Sequence, residues 1–366
     1  MTILLSEIKN TTASERTGFC KGDRKKGELT LANSAFGIDL GTSNIKIYNR
    51  ADDSIMIEKN MIAIENKNTL FAYGDSAFDM YEKAPGNIHI SYPLCNGVIA
   101  DIKNMETLIR YFIGGLVKGG VKAADYYVAV PTDITEVEKR AFYDLIRDAN
   151  VKAKKIMVVE KAIADGLGLE IDVKNSQGVL LVNVGYDTTE ISILSLGGIV
   201  LSHLINVGGK KFDEAIRSAV RKEFSLIIGG KTAENVKMSL RELEKEGKGA
   251  VVYGRDIVTG LPVEREIPTS LVDEALHEHF STIIDNIKLI LERTPPELAA
   301  DIYRHGIYLT GGASQVNHLG ELISKGTGLT VNMAEQPIAS VAIGLSRIIK
   351  DDNYKSVAYA IEGMGK

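Results

Sequence analysis

The chain has 366 residues, of which 45% are hydrophobic and 25% are charged, and its formal net charge is −5. This balance is typical of a soluble globular protein with room for two domains, and it argues against a nucleic-acid partner, which would require clustered Lys and Arg. The two cysteines, Cys20 and Cys95, form no CxxC pair, which argues against a disulfide framework or a zinc site and favours a reducing cytosol.

Residues 1–34 are predicted to form a flexible N-terminal extension, because residues 10–34 are polar and rich in Thr, Ser, Gly and Lys. The first nine residues lack the charged opening and cleavage site of a signal peptide, and no apolar run of the chain reaches the ~20 residues of a membrane span. Residues 1–8 either form a short interfacial helix, with Ile3, Leu4 and Ile8 on one side, or a frayed terminus.

Apolar, β-rich runs bounded by Gly or polar residues predict strands at 35–40, 45–48, 126–130, 155–159, 179–184, 191–196 and 306–309. Helical patterns lie between them. Thr135 and Glu138 form a capping box ahead of one apolar stripe, a second stripe covers residues 212–220, and a third covers 283–291 and stops before Pro295. Strands that alternate with helices indicate an α/β protein.

Two segments about 144 residues apart share one pattern: residues 38–42 read IDLGT and residues 182–186 read VNVGY, each between two predicted strands. Each is a strand, a short polar acid or amide, a Gly turn and a second strand. We expect a duplicated fold whose two lobes begin with the same hairpin and enclose a cleft. The alternative is a chance likeness between two strand–Gly–strand segments.

The first hairpin carries residue types that suit a phosphate and its metal ion. Gly41 lets backbone N–H groups approach phosphate oxygens, Asp39 can hold Mg²⁺ through water, and Thr42 and Ser43 add hydroxyl donors. A third element, residues 307–314, is a buried strand that runs into a double glycine, as the close approach of a flat purine ring requires. D-x-G-T alone is also an ordinary turn, so the order of the three elements is the more specific signal.

At these positions the sequence resembles the actin, sugar-kinase and DnaK-type chaperone superfamily, and within it MreB. The resemblance starts near Phe36 and rests on the runs IDLGTSN, PGNI, YPLCNGVIADI, RYFI, VPTDITEVEKRA, TTEISILSLGGIV, DEAI, IGGKTAENVK, TGLP, TPPELAADI, GIYLTGGASQV and TGLTV. It implies a duplicated actin-like (ribonuclease H-like) α/β fold with an ATP cleft between two lobes, head-to-tail protofilaments, and a role in rod shape and cell-wall synthesis at the inner membrane face.

The resemblance also implies four subdomains after the N-terminal extension of residues 1–34. Subdomain IA is expected to comprise residues 35–62, 96–175 and 341–366, and subdomain IB residues 63–95. Subdomain IIA is expected to comprise residues 176–211 and 272–340, and subdomain IIB residues 212–271.

Matching positions place a site for ATP and Mg²⁺ on residues of both lobes, with Asp39 as the metal residue. Thr188 matches a threonine that orders the attacking water, and Glu234 and Lys237, three apart on a predicted helix, match nucleoside contacts; the alternative for these two is an ion pair in solvent. The full expected set is Asp39, Gly41, Thr42, Ser43, Asn44, Gly185, Thr188, Gly208, Gly209, Glu234, Lys237, Gly311, Gly312 and Ala313.

The second phosphate loop departs from the MreB pattern, which usually reads DIGGGTTE, because residues 183–190 read NVGYDTTE. Asn183 stands for the metal-side carboxylate and contributes no charge. Tyr186 stands where positive φ is often needed, which is unfavourable for it. Asp187 places a carboxylate where a γ-phosphate should come close.

The loop after the strand at 155–159 usually reads EEP, and here residues 160–162 read EKA. The family's catalytic glutamate falls on Lys161, which is protonated near pH 7 and cannot take a proton from water. Two explanations remain: drift of an unused site, or a Lys161–Asp187 pair across the cleft in place of Mg²⁺ and the γ-phosphate. Either predicts weak or absent ATPase activity, with Lys161 and Asn183 as degenerate catalytic positions beside Thr188.

Two further features limit the range of partners. The loop at 122–125 reads KAAD and offers little apolar area, which predicts weak or no direct membrane binding. His277 and His279, two apart on a predicted helix, lie on opposite sides and suit the surface better than a metal site.

The sequence as a whole predicts an MreB-like, ATP-binding filament subunit of the cytoplasm, located at the inner face of the membrane. Its expected partners are copies of itself, other MreB-type subunits and the cell-wall elongation machinery. The alternatives are a non-hydrolysing regulator that copolymerises with an orthodox MreB, or a kinase or chaperone of the same fold. A chaperone would need a separate substrate domain, and a kinase would need an intact site for phosphoryl transfer.

Overall fold

The structure is a computed structural model that describes residues 34–117 and 122–361. The predicted N-terminal extension, apart from residue 34, lies outside the described residues, and so do residues 1–8 with the two alternatives of an interfacial helix and a frayed terminus. The strands are β1 (Ala35–Leu40), β2 (Asn44–Asn49), β3 (Ser54–Lys59), β4 (Ile62–Glu65), β5 (Thr69–Tyr73), β6 (Ile88–Ser91), β7 (Leu94–Cys95), β8 (Val98–Ile99), β9 (Ala124–Val130), β10 (Ala153–Glu160), β11 (Val179–Val184), β12 (Thr189–Ser195), β13 (Gly198–Ile205), β14 (Leu226–Ile227), β15 (Ala250–Asp256), β16 (Pro262–Ile267), β17 (Ile307–Thr310) and β18 (Val331–Met333).

The helices follow the predicted alternation with the strands. They are α1 (Asp75–Met80), α2 (Ile102–Leu116), α3 (Glu136–Asp148), α4 (Lys161–Gly168), α5 (Gly209–Phe224), α6 (Gly230–Glu246), α7 (Thr269–Arg293), α8 (Pro296–His305), α9 (Leu319–Thr327) and α10 (Ser340–Lys350). Within the described part of the chain, none of the helices has both the length and the apolar character needed to cross a bilayer.

Two five-stranded sheets repeat one topology. The first has the order β3-β2-β1-β9-β10 and the second the order β13-β12-β11-β17-β18. In each sheet the first three strands are antiparallel neighbours, and the last two run parallel to the central strand. This confirms the predicted duplicated α/β fold, and the matching hairpins are β1–β2 and β11–β12.

The two central strands explain why the sequence pattern was strong. All six residues of β1 and all six of β11 are buried, because each strand lies inside a sheet covered on both faces. Strands in that position read as continuous apolar runs. The predicted bounds 35–40 and 179–184 therefore agree with the structure, whereas β2, which is less completely buried, differs from the prediction by one residue at each end.

Smaller sheets lie in the connections between the main strands. Strands β5, β4 and β6 form one three-stranded sheet, β14, β15 and β16 form another, and β7 pairs with β8. The local signals for helix ends are confirmed nearby: Thr135 and Glu138 form both bonds of the capping box of α3, and α7 ends at Arg293, just before Pro295.

Helices α4 and α10 cross with their backbones in contact. A Cβ added at Gly344 would lie 1.6 Å from the carbonyl oxygen of Ala164, and one added at Gly168 would lie 1.9 Å from that of Ser340. Apolar residues of both helices and of both large sheets form one buried cluster. The crossing therefore fixes the start of α4, and with it Lys161, between the two sheets.

Candidate functional site

A cavity of about 690 Å³ lies between the two hairpins and the loop after β17. It brings together residues that the sequence analysis selected from distant segments: Asp39, Gly41, Thr42, Ser43, Asn44, Lys161, Asn183, Gly185, Thr188, Gly209, Glu234, Lys237, Gly311, Gly312 and Ala313. Gly208 is the exception and does not line the cavity. A Cβ there would lie 2.6 Å from the carbonyl oxygen of Gly185, so Gly208 packs behind the second hairpin.

Two glycines permit close backbone approaches at the cavity wall. Gly311 has a φ of +87°, and a Cβ there would lie 2.3 Å from the carbonyl oxygen of Val184, so only glycine fits without strain. A Cβ at Gly41 would lie 2.7 Å from the carbonyl oxygen of Asn44. Both glycines therefore let neighbouring segments of the chain pack closely at the cavity wall.

Glu234 and Lys237 both belong to α6 and both line the cavity, but they have different partners. Lys237 is buried, donates to the carbonyl oxygen of Gly209 at 3.1 Å and pairs with Asp213 at 2.7 Å. Burial raises the pKa of Asp213 to about 6, although Lys237 opposes that shift. Glu234 Oε1 instead lies 3.8 Å from Lys59 Nζ, so the alternative of a solvated Glu234–Lys237 pair is wrong.

Asp39 lies at the floor of the cavity and is 2% exposed. Its Oδ2 accepts a hydrogen bond from Lys46 Nζ at 3.0 Å. Burial works to raise the pKa of Asp39, but the attraction of Lys46 and Lys161 outweighs burial and holds the pKa below its ordinary value. Asp39 is therefore ionised and already has a cationic partner.

Lys161 is the first residue of α4 and directly follows β10. Burial works to lower its pKa, but attraction to Asp39, Glu190 and Asp165 raises the pKa above its ordinary value. The side chain is therefore an ammonium ion at neutral pH and cannot act as a general base.

The two other acids beside Lys161 each keep one buried oxygen that has no hydrogen-bond partner among the described residues, Oε2 of Glu190 and Oδ1 of Asp165. The second oxygen of Glu190 accepts from Thr132 Oγ1 at 2.7 Å, and burial raises the pKa of Glu190 to about 7. The second oxygen of Asp165 accepts from the side-chain amide of Asn183 at 2.7 Å. Burial also raises the pKa of Asp165. Lys161 lines the same small pocket as both acids, and its positive charge opposes the rise of both pKa values.

The expected Lys161–Asp187 pair is not formed. Asp187 is buried, accepts from the backbone N–H of Asn96 at 2.9 Å and lies 3.7 Å from Lys210 Nζ. Asp187 thus takes its partners from α5, which contains Lys210, and from the turn between β7 and β8, which contains Asn96.

Tyr186 also differs from expectation, because it is not among the residues with positive φ in the described chain. The ring of Tyr186 lies 5.8 Å from that of Tyr92, and its carbonyl oxygen accepts from the backbone N–H of Lys210 at 2.8 Å. Tyr186 therefore avoids the positive φ that the sequence analysis expected at this position.

Comparisons with known proteins agree with this geometry. A family model described as MreB/Mbl protein matches residues 33–356. The chain belongs to the MreB/Mbl family. It is 36% identical to the cell shape-determining protein Mbl of Bacillus subtilis over 84% of this chain and 93% of that protein. It is 33% identical to the cell shape-determining protein MreB of Escherichia coli, over 86% and 92%.

A solved structure of the same family has the same fold. The crystal structure of MreB 5 of Spiroplasma citri bound to AMPPNP superposes with a TM-score of 0.82 and 32% identity, over 89% of this chain and 98% of that chain. The two-lobed, actin-like fold therefore holds for this chain as well.

The MreB pattern implies Mg²⁺ held through water by Asp39, and the residues present do not fit that ion. Asp39 is already paired with Lys46, the amide of Asn183 replaces a carboxylate and donates to Asp165, and Lys161 brings a positive charge among the same acids. Mg²⁺ needs free oxygen ligands and repels a neighbouring ammonium. The assignment of Asp39 as the magnesium residue therefore stays a prediction, and the chemistry of these side chains argues against it.

Several residues of the site were missed by the sequence analysis: Lys46, Lys59, Asn96, Thr132, Asp165 and Glu190. A signal existed for one of them, because Asp39 and Lys46 are directly opposite each other in the β1–β2 register, and a tight hairpin predicts such a cross-strand charge pair. Asp165 and Asn96 reach the site through tertiary packing, for which the sequence carried no local signal.

Proposed function

We propose that this protein is an ATP-binding, filament-forming cytoskeletal protein that acts in cell shape and cell-wall morphogenesis and hydrolyses ATP weakly or not at all. The observation that carries the proposal is that both hairpins and the Gly311–Gly312 loop line one shared cavity. The relatives named cell shape-determining proteins and the nucleotide-bound relative of the same fold support it. The expected nucleotide contacts are those residues of the sequence analysis that line the cavity.

Weak hydrolysis follows from the charge at Lys161. A positioned acid–base group contributes ~10²–10⁴ to a rate, and an ammonium ion cannot take a proton from an attacking water. The neighbouring acid does not replace it, because Glu160 accepts from Lys139 at 3.1 Å and from Tyr359 at 2.8 Å and does not line the cavity. Thr188 lines the cavity and would order a water molecule, but the position of the family's catalytic glutamate beside it holds the Lys161 ammonium ion.

The proposed partners are further copies of the chain in protofilaments, other MreB-type subunits and the cell-wall elongation machinery. The proposed location is the cytoplasm at the inner face of the membrane, with weak or no direct lipid binding. A non-hydrolysing subunit that copolymerises with an orthodox MreB is the second candidate, and Lys161 favours it, because such a subunit has no need of turnover.

Pelleting and electron microscopy of the pure protein test the proposal. We expect filaments at micromolar concentration with ATP and equally with AMPPNP, because assembly uses subunit faces and not hydrolysis. Phosphate release should stay near the buffer rate. A protein that stays monomeric by light scattering with every nucleotide, and pellets only when an orthodox MreB is added, would reject self-assembly and select the copolymer function.

A further inference from the structure

Lys161 lines the main cavity together with Asp39 and Glu190, and it lines a second, small pocket together with Asp165 and Glu190. Asp39, Asp165 and Glu190 all act electrostatically on Lys161. Two of the acids retain a buried oxygen with no hydrogen-bond partner in the described chain. An ammonium group has three donors, so one lysine can serve several carboxylates that line the same pocket.

A divalent ion and Lys161 would compete for the same place. Both are cations that need the same carboxylates, and two like charges within a few ångströms repel strongly in a partly buried site. The protein also supplies further positive charge for a polyanion, since Lys46, Lys59 and Lys161 all line the cavity. Lys59 Nζ lies 3.3 Å from Ser43 Oγ in the first hairpin loop.

We propose that the Lys161 side chain takes the place of Mg²⁺, so that the cleft binds nucleoside di- and triphosphates without a divalent metal. The inference rests on the proposed nucleotide binding. It assigns two effects to Lys161: the lysine abolishes ATP hydrolysis, and it makes nucleotide binding independent of a divalent metal. It also distinguishes replacement from drift, because drift would weaken nucleotide binding without making it independent of metal.

Titration with a fluorescent ADP in EDTA and in Mg²⁺ tests the proposal on the full chain. We expect dissociation constants of wild type within about threefold of each other in the two buffers, well below the tenfold step that corresponds to one strong interaction. Lys161→Arg should keep this independence. Lys161→Gln should weaken binding in EDTA by about tenfold or more, and Mg²⁺ should recover part of the loss.

Lys161→Glu is the sharper variant and should make binding depend strictly on Mg²⁺, because it adds an acid where a cation stood. If its circular dichroism shows that it does not fold, Lys161→Gln carries the test alone. Lys59→Gln is the matched control: it removes one lysine charge from the cavity wall, away from the three acids. It should weaken binding by the same factor in EDTA and in Mg²⁺.

The outcomes separate the two hypotheses. Wild type that binds ADP only with Mg²⁺ would overturn the metal-free cleft and leave the nucleotide-binding function standing. Wild type that binds no nucleotide in either buffer would overturn both. Metal-independent binding that persists in Lys161→Gln would also overturn the proposal, because the lysine would then not be the reason.

Discussion

At the scale of single residues, the positions of the site could be predicted from the sequence, but their partners could not. Asp39, Lys161 and Asn183 line one cavity as the family pattern implied. The sequence could not show that Lys46 pairs with Asp39 or that Asn183 donates to Asp165. Partners depend on side-chain directions across the two lobes, and neither periodicity nor motif spacing records those directions.

The first prediction concerns the catalytic positions. Lys161→Glu alone should restore little phosphate release, because members of a catalytic unit do not act additively. The joint variant Lys161→Glu, Asn183→Asp, Tyr186→Gly and Asp187→Gly should raise release measurably, since it restores the base, the second carboxylate and the flexible turn. Phosphate release is measured for wild type, the single variant and the joint variant with saturating ATP and Mg²⁺.

Asp187→Gly alone is the control for the joint variant. It removes the contacts to Asn96 and Lys210 and adds no catalytic group, so its phosphate release should match wild type. Turnover of wild type equal to that of the joint variant would show that the substituted residues are not lesions and that the chain uses another catalytic arrangement.

At the scale of elements, buried strands and capped helices followed the sequence closely, and the helix crossing did not. Strand β1 and the start of α3 were predicted because a buried strand and a capping box are local signals. The contact between α4 and α10 joins residues about 180 positions apart, so it left no local pattern. Glycine inside a helix lowers its stability, and the close approach of a second backbone explains Gly344 in α10. This explanation became visible only with the structure.

The second prediction tests that crossing. Gly344→Ala should lower the free energy of unfolding by at least ~2 kcal/mol, because its Cβ meets the backbone oxygen of Ala164, which cannot rotate away. Gly114→Ala in α2 is the matched control, since nothing lies within 4 Å of its added Cβ. It should leave stability unchanged or raise it by up to about 1 kcal/mol through helix propensity. Urea unfolding followed by circular dichroism measures both, and equal stability of the two variants would refute the close crossing.

At the scale of the whole molecule, the duplication was the most reliable inference and the subdomain boundaries remain a prediction. The repeat of IDLGT and VNVGY was short, yet both segments proved to be the central hairpins of sheets with one topology. In a duplicated fold the same buried strand and turn occur twice in the sequence, so the pattern can be detected by comparing the two copies. The boundaries between lobes fall in exposed connections, where composition says little about which lobe a residue joins.

The last prediction follows from a site shared by two lobes. A ligand that binds only the folded state stabilises it by about 2.7 kcal/mol at a hundred times its dissociation constant. If the first hairpin binds the phosphates and the loop at Gly311 binds the purine, ADP contacts both lobes, whereas adenosine contacts only the second lobe. At equal concentration ADP should therefore raise the melting temperature clearly more than adenosine, with one cooperative transition, measured by scanning calorimetry. Gly311→Ala should reduce the rise in melting temperature with ADP, because its Cβ would press on the carbonyl oxygen of Val184. The variant changes neither Gly185 nor the first hairpin. An equal shift with adenosine and ADP would mean that the phosphates find no partner in the first lobe and would reject the shared cleft.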